Sequence, residues 1–553
     1  MKVLKLREKF MGSSSGGASI NVYELISFIL YFALVIGVGI YFFFKSKSKG
    51  EKDYFLGGRN INGLVGALSA GASDMSAWVL MGLPGSICLY GLGQVWISIG
   101  LLIGTVCSWI FVAPRLRRFA IVADDSITIP QFFSNRFKSK SPVLRVACAV
   151  IFVIAYCIYS ASSISACGEL FNVVMPAIDK RPAMIIAATI IVVYTLLGGF
   201  NAVCWTDFFQ GMLMLCALMV VPIIALGVLN ASGPVGIVIT PENYYSLLSS
   251  GKFDWKSIAD ILTGIGWGLG YFGMPHILVR YMSIKSEKEM KKSRIIGSVW
   301  TGIILLMATV VGLVAHEYLG SRITSANSSQ AFIQMIRQLF GAGALALIGG
   351  LLLSAIVAAS MSTADSQLLA SSSAFVSDVY KTSLKKNATD KELLWVGRIV
   401  VAVITIIALL IALNPKSQTI MQLVSAAWSI FGAAFGPTML LCLFWRRFNY
   451  KGACVGIIVG FVVSVLWMVL FNFEYYGYTS VIYNTALYEI VPGFIVGLIS
   501  AVATSLLTAP PSEEVLALYD SVPDQVEESD FVKSEEDAIE TVTEETASEE
   551  VSE

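Results

Sequence analysis

The sequence predicts an all-α protein that crosses a membrane many times. Three observations carry this. Of 553 residues, 56% are hydrophobic and only 14% are charged, whereas soluble domains carry about 25% charged residues. Apolar stretches long enough to span a bilayer, about 20 residues each, follow one another along the chain, and short polar loops separate them. A soluble core of this size needs far more polar surface.

Formal net charge is +0, but the balance is uneven. After Pro511 the chain holds 16 acidic residues and one basic residue, Lys533, which leaves 37 basic and 22 acidic residues elsewhere. The basic residues are dispersed over loops, so nucleic acid is not an expected partner; the lipid bilayer is. The nine cysteines stand singly within apolar stretches and read as small packing residues. His276 and His316 are the only histidines. No nucleophile–base pair or His/Cys metal cluster is visible, so neither an enzyme nor a cofactor is expected.

Residues 1–18 are polar and basic, then Ser/Gly-rich. They read as a disordered lead or an upstream extension before Met11, with no cleavable signal peptide. Residues 19–508 form the membrane domain. Thirteen spans are predicted, at 19–44, 61–90, 92–113, 143–174, 183–199, 205–229, 257–279, 295–316, 341–379, 394–412, 417–444, 452–472 and 488–508. The ninth exceeds what a bilayer requires, and its end is expected to project into the cytoplasm. Residues 509–553 are acidic and Ser/Thr-rich, which predicts a disordered cytoplasmic tail.

Lys and Arg placement predicts orientation in a plasma membrane. Loops after odd-numbered spans carry 24 of these residues and loops after even-numbered spans carry seven. The N-terminus is therefore expected outside and the C-terminus in the cytoplasm.

Spans two and seven differ from the rest. They read GALSAGASDMSAWVLMGLPG and LTGIGWGLGYFGMPH. Gly costs about 1 kcal/mol per helical position relative to Ala. Freed backbone groups at membrane depth are tolerated only against protein or a water-filled cavity. Two interrupted spans in corresponding places point to a transporter site between inverted repeats. Span two runs outward and span seven inward, so spans 2–6 and 7–11 make two five-helix units of opposite orientation. Close packing through small residues is the structural alternative.

Span nine contains AASMSTADSQ, residues 358–367. Ala359, Ser362 and Thr363 stand at i, i+3 and i+4 and share a face. One carbonyl and two hydroxyls thus converge within a turn, which suits a hard monovalent cation such as sodium. A proton relay favours a buried Asp, Glu or His instead. Carbonyls near Ala72 and Met75, at the span-two break, complete such a shell. The alternative is hydroxyls bonded back to i−4 carbonyls.

Four motifs, DMSAW (74–78), CWTDFFQ (204–210), WGLGYFGMPH (267–276) and MSTADSQ (361–367), resemble the sodium/solute symporter family and, within it, the sodium/proline symporters. The resemblance covers about residues 19–508. It implies the leucine-transporter-type fold and one sodium ion, the coupling ion, carried with each solute. It implies sodium coordination by the carbonyls of Ala72, Met75 and Ala359 and the hydroxyls of Ser362 and Thr363. It implies a solute pocket near Ser76, Tyr159, Trp267, Tyr271 and Pro275. For Asp74 it implies a part in sodium-coupled uptake, beside the reading of a cap on the outer half-helix. Asp207 reads as a cap at the start of span six or a coupling residue. Arg59 reads as a coupling residue or as a positive-inside charge. Asp365, one turn beyond the sodium face, has no firm role. Two residues depart from the proline-type pattern: Ala77 stands where Gly is usual, and Met274 where Gln is common. Met274 thereby joins the pocket candidates. The motifs leave open another solute of the family: a different amino acid, betaine or pantothenate. A sensor built on this fold usually adds a signalling domain, and only about 45 residues follow the last span.

Overall fold

A computed structural model describes residues 21–45, 51–197, 199–414, 419–482 and 484–523. The lead at 1–18 and the tail from 524 onward lie outside these residues. Among the described residues there is no strand, only an isolated bridge between Ile61 and Ile284. Helices dominate because each pairs its own backbone groups, which hydrocarbon cannot do for it.

The chain opens with α1 (Val22–Lys45). A short helix, Glu51–Leu56, precedes a turn in which Gly57, Gly58 and Arg59 all take left-handed φ. Span two follows as α2 (Gly63–Asp74), a break, a π-type turn over Trp78–Gly82, and α3 (Leu83–Tyr90). Next come α4 (Val95–Cys107), α5 (Ala113–Val122), α6 (Ile129–Arg136), α7 (Val143–Val174), α8 (Lys180–Leu197) and α9 (Phe200–Ser232). Span seven is α10 (Trp255–Gly266), a 3-10 stretch over Trp267–Phe272, and α11 (Pro275–Ser283). The remainder is α12 (Glu287–Leu319), α13 (Ala331–Phe340), α14 (Leu345–Ala374), α15 (Asp390–Leu413), α16 (Ile420–Phe444), α17 (Tyr450–Phe471), α18 (Ile490–Leu507) and α19 (Glu513–Asp520).

Among the described residues ten helices are long and apolar enough to cross a membrane, and the bent pair α2/α3 makes eleven. Helix α8 and the broken α10–α11 segment stand at the two other positions where spans are expected.

Helix starts follow capping chemistry. Asn62, Thr128, Asp254, Ser286, Thr389 and Asn449 each accept a backbone N–H from the first turn. Thr419 and Gln422 form a reciprocal box at α16.

Helices α14 and α16 lie at the centre. The first packs against α1, α2, α7 and α9; the second packs against α7, α17 and α18. Peripheral helices turn large apolar residues outward, such as Leu30 and Leu34 on α1 and Ile399, Ile406 and Leu410 on α15. Such an outer face suits lipid.

Helix α4 and span seven meet backbone to backbone through glycine. A Cβ on Gly104 would sit 2.2 Å from the Gly268 carbonyl oxygen, and one on Gly268 would sit 2.2 Å from that of Gly100.

The structure corrects several expectations. Span six begins at Phe200 rather than 205, because Gly199 (φ 92°) turns the chain into α9. Asp207 is therefore two turns inside a helix and caps nothing. The basic stretch between spans three and four holds α6 and buries Arg136. The tail from 509 is not wholly disordered. Helix α19 packs inward through Val515, with Val522 just beyond it, and Asp520 pairs with Arg446 at 2.7 Å. In that sequence only the acidic residues were conspicuous, and they masked the spaced apolar residues Val515, Leu518, Tyr519 and Val522.

Candidate functional site

The site forms where the two broken spans meet. Helix α2 stops at Asp74. Met75 leaves the helical region (φ −85°, ψ 76°), and the axis beyond the break is bent by 61°. The Asp74 carbonyl gathers donors in place of its lost helical partner. It accepts from the Ser76 N–H (3.0 Å), the Trp78 indole N–H (3.1 Å) and the Tyr159 hydroxyl (3.3 Å). Its carboxylate accepts the Tyr271 hydroxyl, which joins the two breaks. Ala77, not Asp74, stands at the cap position of the segment beyond. Asp74 therefore reaches across to span seven and does not cap the outer half-helix.

In span seven, Met274 (φ −78°, ψ 108°) is extended, and Pro275 restarts the helix where a missing N–H is harmless. Gly270 and Gly273 are needed here: a Cβ would meet the Trp428 indole nitrogen at 2.0 Å and the Phe431 carbonyl oxygen at 2.4 Å.

An aromatic wall closes the region. Trp267 stacks on Tyr488 at 5.0 Å and lies tilted against Trp78 and Trp428 at 6.3 and 6.2 Å. Tyr271 meets Trp428 edge-on at 5.3 Å. The Trp428 indole N–H donates to the Trp267 carbonyl at 2.8 Å. Ser76, Tyr159, Trp267, Tyr271, Met274 and Pro275 are all buried. Trp428 and Tyr488 were missed by sequence reasoning. They come from α16 and the approach to α18, far from the motifs, and nothing local marks them.

Three of the expected sodium residues, Ala72, Ala359 and Ser362, meet beside the α2 break. The Ser362 hydroxyl oxygen lies 2.9 Å from the Ala72 carbonyl oxygen and 3.1 Å from that of Ala359. A hydroxyl has one proton to give. Three oxygens thus share a single hydrogen. The neighbouring Thr363 hydroxyl is buried and has no hydrogen-bond partner among the described residues. Buried polar oxygens are normally satisfied, so this group has capacity for a cation. Met75, fully buried, stands at the break itself. Back-bonding within the helix, the alternative for such hydroxyls, reaches the i−4 carbonyl at Ser360 and Ser366 and the i−3 carbonyl at Ser362, whose shorter contact is with Ala72 on another helix.

Asp207 and Arg59 tie elements together. Asp207 is fully buried and accepts from the Ser69 hydroxyl (2.7 Å) and Arg280 (2.9 Å). Arg59 donates to Asp125 (2.8 Å) and to the carbonyls of Met282 (2.6 Å) and Ser126 (2.7 Å), so it is more than a loop charge. Asp365 is fully buried, and one of its carboxylate oxygens lies 3.3 Å from the Ser366 hydroxyl oxygen.

Comparison with known proteins adds the following. The sodium:solute symporter family model matches residues 54–460. The chain is 40% identical over 499 residues to the osmoregulated proline transporter OpuE of Bacillus subtilis (strain 168), covering 90% of this chain and 97% of that protein. It is 40% identical over 492 residues to the high-affinity proline transporter PutP of the same organism, with 89% and 99% covered. It is 40% identical over 514 residues to the sodium/proline symporter of Staphylococcus aureus (strain NCTC 8325 / PS 47), with 92% and 97% covered. Among solved structures, a Na+-coupled sialic acid symporter in a substrate-bound outward-open state superposes with a TM-score of 0.70 at 20% identity, covering 89% of this chain and 99% of that one. Mhp1, a nucleobase-cation-symport-1 family transporter, gives 0.50 at 13% identity, covering 85% and 98%. At these identities the structures speak to the fold, which is of the leucine-transporter type.

Proposed function

The chain belongs to the sodium:solute symporter family, and from that premise we propose that it imports L-proline together with sodium. One observation carries the sodium half: Ser362 sits between two carbonyl oxygens at a helix break, beside the unpartnered Thr363 hydroxyl. In this reading Ala72, Met75, Ala359, Ser362 and Thr363 hold the ion. It bridges the α2 break to α14 and so fixes the orientation of the broken helix.

Proline is supported by the relatives, named as proline transporters at 40% identity over nearly their whole length, and by the chemistry of the breaks. The wall of Trp267, Tyr271 and Trp428 suits a compact apolar ring, and indole faces favour a nearby ammonium. Free N–H groups at a helix break suit a carboxylate. A rigid ring loses little rotamer freedom on binding. Ser76, Tyr159, Met274 and Pro275 complete the pocket, and Asp74 links it to the break through Tyr271. Met274 supplies a flexible apolar surface.

The basic loops support a plasma-membrane topology with the N-terminus outside and the C-terminus in the cytoplasm. On that topology Arg59, Lys285 and α19 lie on the cytoplasmic side.

The test is uptake into proteoliposomes with and without a sodium gradient, with unlabelled proline competing against other amino acids, betaine and pantothenate. Proline is expected to accumulate only with the gradient and to compete best. Accumulation of another solute, with no competition by proline, rejects proline and leaves sodium symport standing.

A further inference from the structure

We propose that Arg280 is a positioning residue that latches the end of the pathway where α2 and α11 meet, and that Ser366 connects this latch to the sodium face. The proposal rests on the sodium face assigned above. Arg280 is 2% exposed. Its guanidinium donates to Asp207 on α9 (2.9 Å), to Ser366 on α14 (2.5 Å), to Ser69 on α2 (2.7 Å) and to the His276 carbonyl of its own helix (2.6 Å). One rigid planar fork therefore joins four helices in a dry environment.

Helices α2 and α11 form one body at this end. The Ile61 N–H donates to the Ser283 carbonyl (3.2 Å), and the Lys285 N–H donates to that of Ile61 (3.0 Å). Arg59 clasps Met282. Helix α2 leaves this end and α11 arrives at it, so the two run in opposite directions. A solute passing from the breaks toward this end requires the α2–α11 pair to part from α9 and α14. The bonds from Arg280 to Asp207 and Ser366 cross that seam.

The latch is steep by its nature. A dry ion pair is costly to separate, while a hydrated one holds little. The seam is therefore either closed and dry or open and wet. The connection to sodium is one hydroxyl long. Ser366 accepts from Arg280 and donates to the Ser362 carbonyl at 2.7 Å, and the Ser362 side chain faces Ala72 and Ala359. An ion held on that face fixes α2 against α14 and keeps the fork seated. Its departure frees Ser362 and loosens Ser366.

Cys204 reports the seam. It is fully buried on α9, one turn before Asp207. The experiment uses full-length protein in membrane vesicles, with the other eight cysteines replaced by serine, and a membrane-impermeant maleimide applied to each face in turn. In the parent, Cys204 is expected to react slowly, and more slowly with sodium. Arg280→Gln is expected to raise the rate by about tenfold or more from the Arg59 side and to abolish protection by sodium. Arg280→Lys, which keeps charge without the fork, falls between. Asp207→Asn repeats the result from the partner's side. Ser366→Ala, which removes one acceptor and no charge, carries the test if the charge variants fail to reach the membrane; it too raises the rate. Variants present in the membrane that react at the parental rate overturn the latch. Absence of sodium protection in the parent rejects the sodium face instead, independently of the Arg280 comparison.

Discussion

Ser362 and Thr363 illustrate how much depends on hydroxyl protons. Ser362 has one proton for two carbonyls, and Thr363 has no hydrogen-bond partner among the described residues. If both oxygens ligate sodium, Ser362→Ala and Thr363→Ala each remove about 1–2 kcal/mol and raise the half-saturating sodium concentration roughly tenfold. The double change nearly abolishes uptake. Thr363→Ser keeps the oxygen and restores near-normal sodium dependence, which separates coordination from packing. Sodium-dependence curves of uptake are the measurement, and normal dependence in the double variant refutes this face. The spacing of Ala359, Ser362 and Thr363 already placed three oxygens on one face. The role of Asp74 was not legible in the same way, because its carboxylate bonds Tyr271 nearly two hundred positions away.

At the scale of elements, the broken spans depend on close approach. Gly100, Gly104, Gly264 and Gly268 let α4 and span seven touch backbone to backbone. Gly104→Leu drives a side chain into the Gly268 carbonyl, and overpacking of this kind costs about 1–3 kcal/mol. Lower thermal stability and lost uptake are expected. Gly227, on α9, has nothing within 4 Å of an added Cβ. Gly227→Ala is the matched control and is expected to be neutral or slightly stabilising, by about 0.5–1 kcal/mol. A Gly104→Leu protein with parental melting temperature and uptake contradicts the close packing. Glycine enrichment in both spans was plain in the sequence. Which glycine faces which backbone was not, since enrichment fixes composition and not rotation about the helix axis.

At the scale of the whole molecule, α19 closes one end of the bundle. Tyr519 lies under the guanidinium groups of Arg115 and Arg136 at 5.2 and 4.8 Å, and Arg118 donates to the Pro523 carbonyl at 2.7 Å. A chain ended after Pro510 loses the burial of Val515 and Val522, about 2–4 kcal/mol, and is expected to melt lower than one ended after Pro523, which keeps the parental value. Equal melting temperatures show that α19 adds nothing. Arg446 beside Asp520 holds that carboxyl below its usual value. The contribution of this exposed pair is thus intact at neutral pH and is lost as pH falls below the ordinary carboxyl range and through the lowered folded value. A reporter fused after Pro523 is expected to be active only in the cytoplasm; activity outside overturns the span count or the orientation.

The sequence by itself determined the helical membrane architecture, the two interrupted spans and the turn of α14 on which Ala359, Ser362 and Thr363 share a face. Each of these is periodic or compositional, and bilayer thickness and helix geometry translate it directly into structure. Tertiary structure alone decided that Asp207 is a buried partner of Arg280 rather than a cap, that Trp428 and Tyr488 complete the aromatic wall, and that α19 docks. These facts join residues distant in the chain. Hydrogen bonds and ring contacts act over a few ångströms of space, and no local pattern records which distant helix face arrives within that reach.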